Sequence, residues 1–143
     1  MATKKSNGKK KAVKPAKKTA AKKAAAPKRA STPGVVHWEV QARDRAKQQR
    51  FFSSLFGWKI AADDKMKYGM VGAAGKDTIG GGIGEAQDKP RVTFYVQVPD
   101  INATLAKVAT LGGETVMPRT DIGMIVMAQF RDPEGNIIGV IED

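Results

Sequence analysis

The chain has 143 residues, no cysteine and a formal net charge of +11 at pH 7, and the charge is spread unevenly. Residues 1–33 hold 12 of the 25 Lys and Arg and none of the 14 Asp and Glu, so the remainder has one more acid than it has bases. This length fits one domain, the lack of cysteine excludes disulfides, thiolate metal ligands and a cysteine nucleophile, and no apolar run reaches the roughly 20 residues that cross a bilayer.

In chain order, residues 1–33 come first, built from Lys, Ala, Pro, Thr and Ser, with Val13 the only large apolar side chain after Met1. Such a segment buries too little surface to offset its ordering entropy and is expected to be disordered when free. Its spaced Lys-Lys pairs resemble Lys/Ala/Pro-rich histone H1-like tails. Flexible lysines displace counterions from nucleic acid without reading sequence, and no aromatic residue is interleaved for base stacking. Weak, salt-sensitive association with nucleic acid or another polyanion is one expectation, and a solubilising spacer is the other. A cytoplasmic protein follows from the absence of an apolar signal segment, nucleoid-associated if the tail binds DNA.

From residue 34 the pattern changes. Val36, Trp38 and Val40 alternate with His37, Glu39 and Gln41, which predicts a strand with two different faces. Asp44 is placed to cap a helix that buries Ala46, Phe51, Phe52, Leu55 and Phe56 and ends at Gly57. Strands are predicted from Trp58 to Ile60, Tyr68 to Val71 and Ile79 to Ile83. Val92 to Val98 alternates again, and Pro99 closes that strand. Asp100 or Asn102 caps a second helix, with Ile101, Leu105, Val108 and Leu111 on one face and Gly112-Gly113 at its end. Glu114 to Met117 reads as a short strand. Met124 to Phe130 and Ile137 to Glu142 read as a hairpin across Asp132 to Asn136.

The two stretches are copies. His37 stands seven residues before Asp44, Thr93 stands seven before Asp100, and Gly57 maps onto Gly113, an offset of 56. Each half reads βαβββ, modules 34–88 and 89–143. Neither covers its own sheet, so an α+β domain over 34–143 is expected, with one curved eight-stranded mixed sheet and the helices outside.

The segments RFFSSLFGWKI, IGGGIG, VPDINATLAKVATLGGETVMP and FRDPEGNIIGVIE together resemble the vicinal oxygen chelate superfamily, which holds glyoxalase I, bleomycin-resistance proteins and extradiol dioxygenases. The likeness covers residues 35–142. It implies a small molecule held between the modules and metal ligands on the first and last strands of each half. Carried over by position, His37 and Glu142 are the implied ligands of one divalent ion, Zn, Ni, Fe or Mn. Thr93 stands where a second His would be, and the fourth position falls near Ile83 to Glu85, with Glu85 the nearest carboxylate. Glu142 is also the implied catalytic carboxylate, and Thr93 and Trp58 the implied substrate contacts. Lactoylglutathione lyase-like or dioxygenase-like chemistry is one expectation. A non-catalytic drug- or metabolite-sequestering protein is the other, and the departure at Thr93 favours it. Many members form homodimers.

The remaining motifs are weaker. Gly80-Gly81-Gly82 lacks the Lys-Ser/Thr and the helix of a phosphate loop and suits close backbone approach in a curved sheet. Met66, Met70, Met117, Met124 and Met127, with Trp58 and Tyr68, could line an apolar groove, although core packing explains most of them. Lys65 and Lys67 beside Asp63 and Asp64 read as a solvated turn, and Arg119 reads as a surface residue.

Overall fold

The computed structural model describes residues 1–3 and 32–143, so the expectations for the basic tail lie outside the described residues. The first half contains β1 (Val35–Ala42), α1 (Arg45–Phe56), β2 (Ile60–Asp63), β3 (Tyr68–Val71) and β4 (Gly81–Glu85). The second contains β5 (Arg91–Val98), α2 (Ile101–Thr110), β6 (Glu114–Asp121), β7 (Val126–Arg131) and β8 (Ile137–Glu142). All eight strands form one mixed sheet in the order β2-β3-β4-β1-β5-β8-β7-β6. At its centre β1 and β5 run antiparallel. The last strand of each half returns parallel to the first, β4 to β1 and β8 to β5. The duplicated α+β architecture is therefore present. Among the described residues no helix is long and apolar enough to cross a membrane.

Local signals set the element ends. The Asp44 side chain accepts from the Lys47 amide and Asp100 accepts from that of Ala103, so Asp100 rather than Asn102 caps α2. Gly57 closes α1 at φ 67°, a left-handed conformation that costs glycine little. Several strand ends move. β2 starts two residues late because Trp58 leaves the strand line to pack against Phe56 and Phe52, with ring centroids 4.9 and 5.7 Å away. β4 is shifted to Gly81–Glu85 by its pairing with β1. β6 continues past Met117 to Asp121 across two irregularities in its ladder with β7. β7 begins at Val126 because the chain turns at Gly123, φ 87°.

The two helices cover the sheet differently. In the second half, Ile101 of α2 joins Val98, Ala128 and Val140 in a buried cluster, with Leu105 and Phe130 against it. In the first half α1 buries none of its residues, which corrects the expected apolar face. Phe51, Leu55 and Phe56 are 55%, 57% and 54% exposed, Ala46 is exposed and Phe52 half-buried. The positions that meet the sheet belong to Arg45 and Gln49, one turn apart. Arg45 Nη1 donates to the Asp63 carbonyl at 3.2 Å, and Gln49 Nε2 donates to that of Ile83 at 3.2 Å. These polar anchors rotate the aromatic stripe to the helix flank, where Phe52, Phe56, Trp58 and Trp38 stack in series. The methionines are not core either: Met66, Met70 and Met124 are exposed, and Met117 and Met127 half-buried.

Removing the Ile101 side chain should leave a cavity in the buried cluster it forms with Val98, Ala128 and Val140. Ile101→Ala is expected to cost about 2–5 kcal/mol and Asp100→Ala about 1 kcal/mol, both read from the urea unfolding midpoint at unchanged slope.

Candidate ligand site on the helix-free face

Alternation along β1 sends Trp38 toward the helices and His37, Glu39 and Gln41 to the opposite, helix-free face. On β5 the partners of these three are Tyr95, Thr93 and Arg91. Six polar or aromatic side chains thus share the middle of the sheet, three from each half.

Two glycines shape what surrounds them. Gly82 of β4 lies beside Glu39, and Gly139 of β8 lies beside Tyr95. A Cβ at Gly82 would come 2.1 Å from the Tyr68 ring, and one at Gly139 would come 2.1 Å from the Tyr95 ring. Each tyrosine lies flat over a glycine, and its hydroxyl is directed inward. Tyr95 donates to Glu39 Oε2 at 3.1 Å and accepts from Gln129 Nε2 at 2.8 Å. Gln129 Oε1 in turn accepts from Arg91 Nη2 at 3.2 Å. Gln41 Nε2 donates to the other Glu39 oxygen. The Tyr68 hydroxyl and His37 Nε2 are hydrogen-bonded at 2.9 Å. Glu39 is only 8% exposed. A carboxylate so enclosed is tolerated because donors face both oxygens.

Electrostatics follow from this enclosure. Burial raises both tyrosine pKa values well above their ordinary range, and the Glu39 charge raises them further, so both hydroxyls keep their protons. Burial lowers the His37 pKa from 6.5, against an opposing pull from Glu39. The imidazole is therefore neutral at pH 7. Thr93, 2% exposed and directly across the ladder from Glu39, has an Oγ1 with no hydrogen-bond partner. Arg91 Nε also has none.

The sequence matches the glyoxalase-like domain family over residues 13–141. The chain belongs to that family. Among curated proteins it is 31% identical over 119 residues to CFP32 of Mycobacterium tuberculosis, which carries a glyoxylase name; the match covers 75% of this chain and 45% of the relative. The chain thus spans about half the length of the curated relatives it first matches. A solved member of the glyoxalase/bleomycin resistance protein/dioxygenase superfamily from Vibrio splendidus shares the fold at TM-score 0.53 and 20% identity, covering 78% of this chain and 99% of that one. Streptomyces coelicolor methylmalonyl-CoA epimerase, in complex with 2-nitronate-propionyl-CoA, aligns at TM-score 0.57 and 12% identity, covering 79% and 96%.

The residues of this glyoxalase-like domain do not fit the metal that the resemblance implied. His37 and Thr93 do occupy first-strand positions on the helix-free face. The last-strand positions on the same face belong to Gly82, beside Glu39, and Gly139, beside Tyr95, not to Glu85 and Glu142. Glu85 is exposed and bonded to Lys67 at 3.3 Å. Glu142 lies three residues past Gly139, so alternation turns it to the face of Val140, and Arg119 Nε holds it at 2.6 Å. Two strand spacings and three residues separate it from His37, about 14 Å between backbones. His37 and Glu142 are therefore not brought together as ligands or as a proton-transfer pair. Thr93 has no charge to offer, and two ring-covered glycines offer no donor. Among the described residues no group of three or more His, Cys, Asp or Glu gathers. Trp58 is also displaced from the expected site, since it packs in the aromatic cluster on the helix side. Glu39, Tyr95, Gln129 and Arg91 were missed in the sequence, although Glu39 stands two residues from His37 and so shares its face.

His37 is the only histidine, which makes its titration readable. Its imidazole proton shifts in NMR should titrate with a midpoint below 6.5. The unfolded chain then takes up the proton first as pH falls. Stability present above pH 6.5 should decline as pH drops through the folded-state midpoint, and in urea unfolding His37→Gln should remove that part of the pH dependence.

Proposed function

We propose that this glyoxalase-like domain binds a small organic molecule on its helix-free face, at a hydrogen-bonding site centred on Glu39, without a metal held by the four strand positions. The observation that carries this is the replacement of both last-strand donor positions by Gly82 and Gly139, each covered by a tyrosine ring. The hydrogen-bonded cluster converges on a carboxylate rather than on an ion-sized gap. A hollow of about 480 Å³ lies beside it, lined by Glu39, Gln41, Tyr68, Gly84 and Glu85 among others, within the size range of small-molecule sites. This favours sequestration of a ligand over lyase, isomerase or dioxygenase chemistry that would need a Lewis acid.

Metal analysis and a fragment screen test it together. After dialysis against chelator, the metal content should be substoichiometric, and Ni²⁺ or Zn²⁺ titration should show no tight site lost in His37→Ala. In the same chelated protein, fragments from a neutral, acidic and basic library should shift amide resonances around Glu39, Tyr68 and Thr93. A stoichiometric, His37-dependent metal would overturn the proposal, and so would a screen with no hit on this face.

The flank of α1 supports a second partner, another copy of the chain. Phe51, Leu55 and Phe56 on the helix, with Val36, Val92 and Phe94 on the outer face of β1 and β5, are all substantially exposed. Aromatic side chains carry about 150–250 Å² each, and with roughly half of that exposed on Phe51, Phe56 and Phe94 the six residues together reach the few hundred Å² that mark an interaction site on a monomer. It carries no charged residue among those six, so it is complementary to itself. The Mycobacterium relatives are about twice as long as the match, with room for a second unit of this size. Light scattering behind size exclusion should give twice the chain mass at micromolar concentration, and Phe51→Glu with Leu55→Glu should halve it.

A further inference from the structure

We propose that the hollow beside Glu39 receives the protonated amine of a small organic cation, an inference that rests on the small-molecule reading above. Four ion pairs form among the described residues: Arg45–Asp64, Lys67–Glu85, Arg119–Glu142 and Arg131–Glu114. Glu39 is in none of them. Its protein donors, Gln41 and Tyr95, with the Tyr68 hydroxyl beside them, are all neutral. The nearest hydrogen-bonded route to a cation runs through Tyr95 and Gln129 to Arg91. An ionised carboxylate has about four acceptor positions, so the protein donors do not fill them all.

The walls fit the same occupant. Two carboxylates, Glu39 and Glu85, and one ammonium, Lys67, line the hollow. Lys67 is already bonded to Glu85, which leaves the Glu39 charge unanswered. An anionic ligand would meet that charge in a site of low dielectric, whereas a cation answers it directly. The Tyr68 ring on the same wall presents an aromatic face, which attracts ammonium groups. His37, bonded to Tyr68, is neutral at pH 7 because burial disfavours its charged form, so it does not repel a cation.

Three probes of matched shape separate charge from shape: benzylamine, benzyl alcohol and benzoate, titrated into the full chain at neutral pH and low salt and followed by amide resonances. Benzylamine should shift the resonances of Glu39, Tyr68 and Gly84, which line the hollow, and bind about tenfold or more tighter than benzyl alcohol, with benzoate weakest. Glu39→Gln should abolish the preference for the amine, and Tyr68→Leu should weaken amine binding while keeping the sign of the preference. The comparison among probes needs only the native chain, so a poorly folded variant does not decide the outcome. If benzyl alcohol or benzoate binds at this face as well as the amine, the cation assignment fails and the small-molecule reading stands. If none of the three shifts these resonances while library fragments do, the assignment likewise fails alone; if nothing binds the face, both fail.

Discussion

A carboxylate enclosed to the degree of Glu39 has to be answered by hydrogen bonds, because the cost of desolvating it is several kcal/mol. In this chain the answer comes from across the pseudo-symmetric junction. Gln41 is a neighbour on the same strand, while Tyr95 belongs to the other half and reaches Glu39 only because β1 and β5 pair antiparallel. Gln129 and Arg91 extend the chain of donors toward β7 and back to β5. One buried charge therefore ties three strands from both halves together, and each of the two tyrosines at the site needs a glycine beneath its ring. A side chain at Gly139 would push Tyr95 away from Glu39, and one at Gly82 would push Tyr68 away from His37.

The halves are copies in topology and differ in how they are held. The second half covers its sheet with an apolar helix face and has the buried cluster around Ile101. The first half attaches its helix through Arg45 and Gln49, whose side chains donate to carbonyls of the sheet. Hydrogen bonds of this kind contribute about 0.5–1.5 kcal/mol each, less than a buried apolar side chain. The aromatic stripe of α1 is then left on the flank, where it packs only on Trp58 and, through it, Trp38, and Phe51, Leu55 and Phe56 stay more than half exposed.

Membership of the glyoxalase-like family and departure from a metal-binding site coexist without conflict. Fold is carried by alternation, caps and turns spread over the whole chain, whereas a metal site depends on a few donors at particular register positions. Here the register positions survive and the donors do not: one imidazole remains, with a hydroxyl opposite and glycines at the other two places. On the last strands the rings of Tyr68 and Tyr95 lie over Gly82 and Gly139, in the space that ligating side chains would need.

Much of the fold was legible in the residues themselves. Alternation placed β1 and β5, the turn at Asp132 to Asn136 placed β8, Asp44 marked the start of α1, Gly57 its end, and the offset of 56 revealed the duplication. The site was legible only in part. His37 and Thr93 were found because each stands at the same place in its copy. Glu142 was misplaced because a carboxylate at the end of a recognisable motif says nothing of parity, and three residues rather than two or four separate it from the facing position. Trp58 and the aromatic face of α1 were misassigned because periodicity defines a stripe but not the direction in which the helix is rotated against the sheet. The sequence by itself determined which side chains share a face within each element. Only the tertiary structure decided which face looks across the junction and what lies over each glycine, because strand register is set by pairing between segments some 56 residues apart, and no local pattern encodes that pairing.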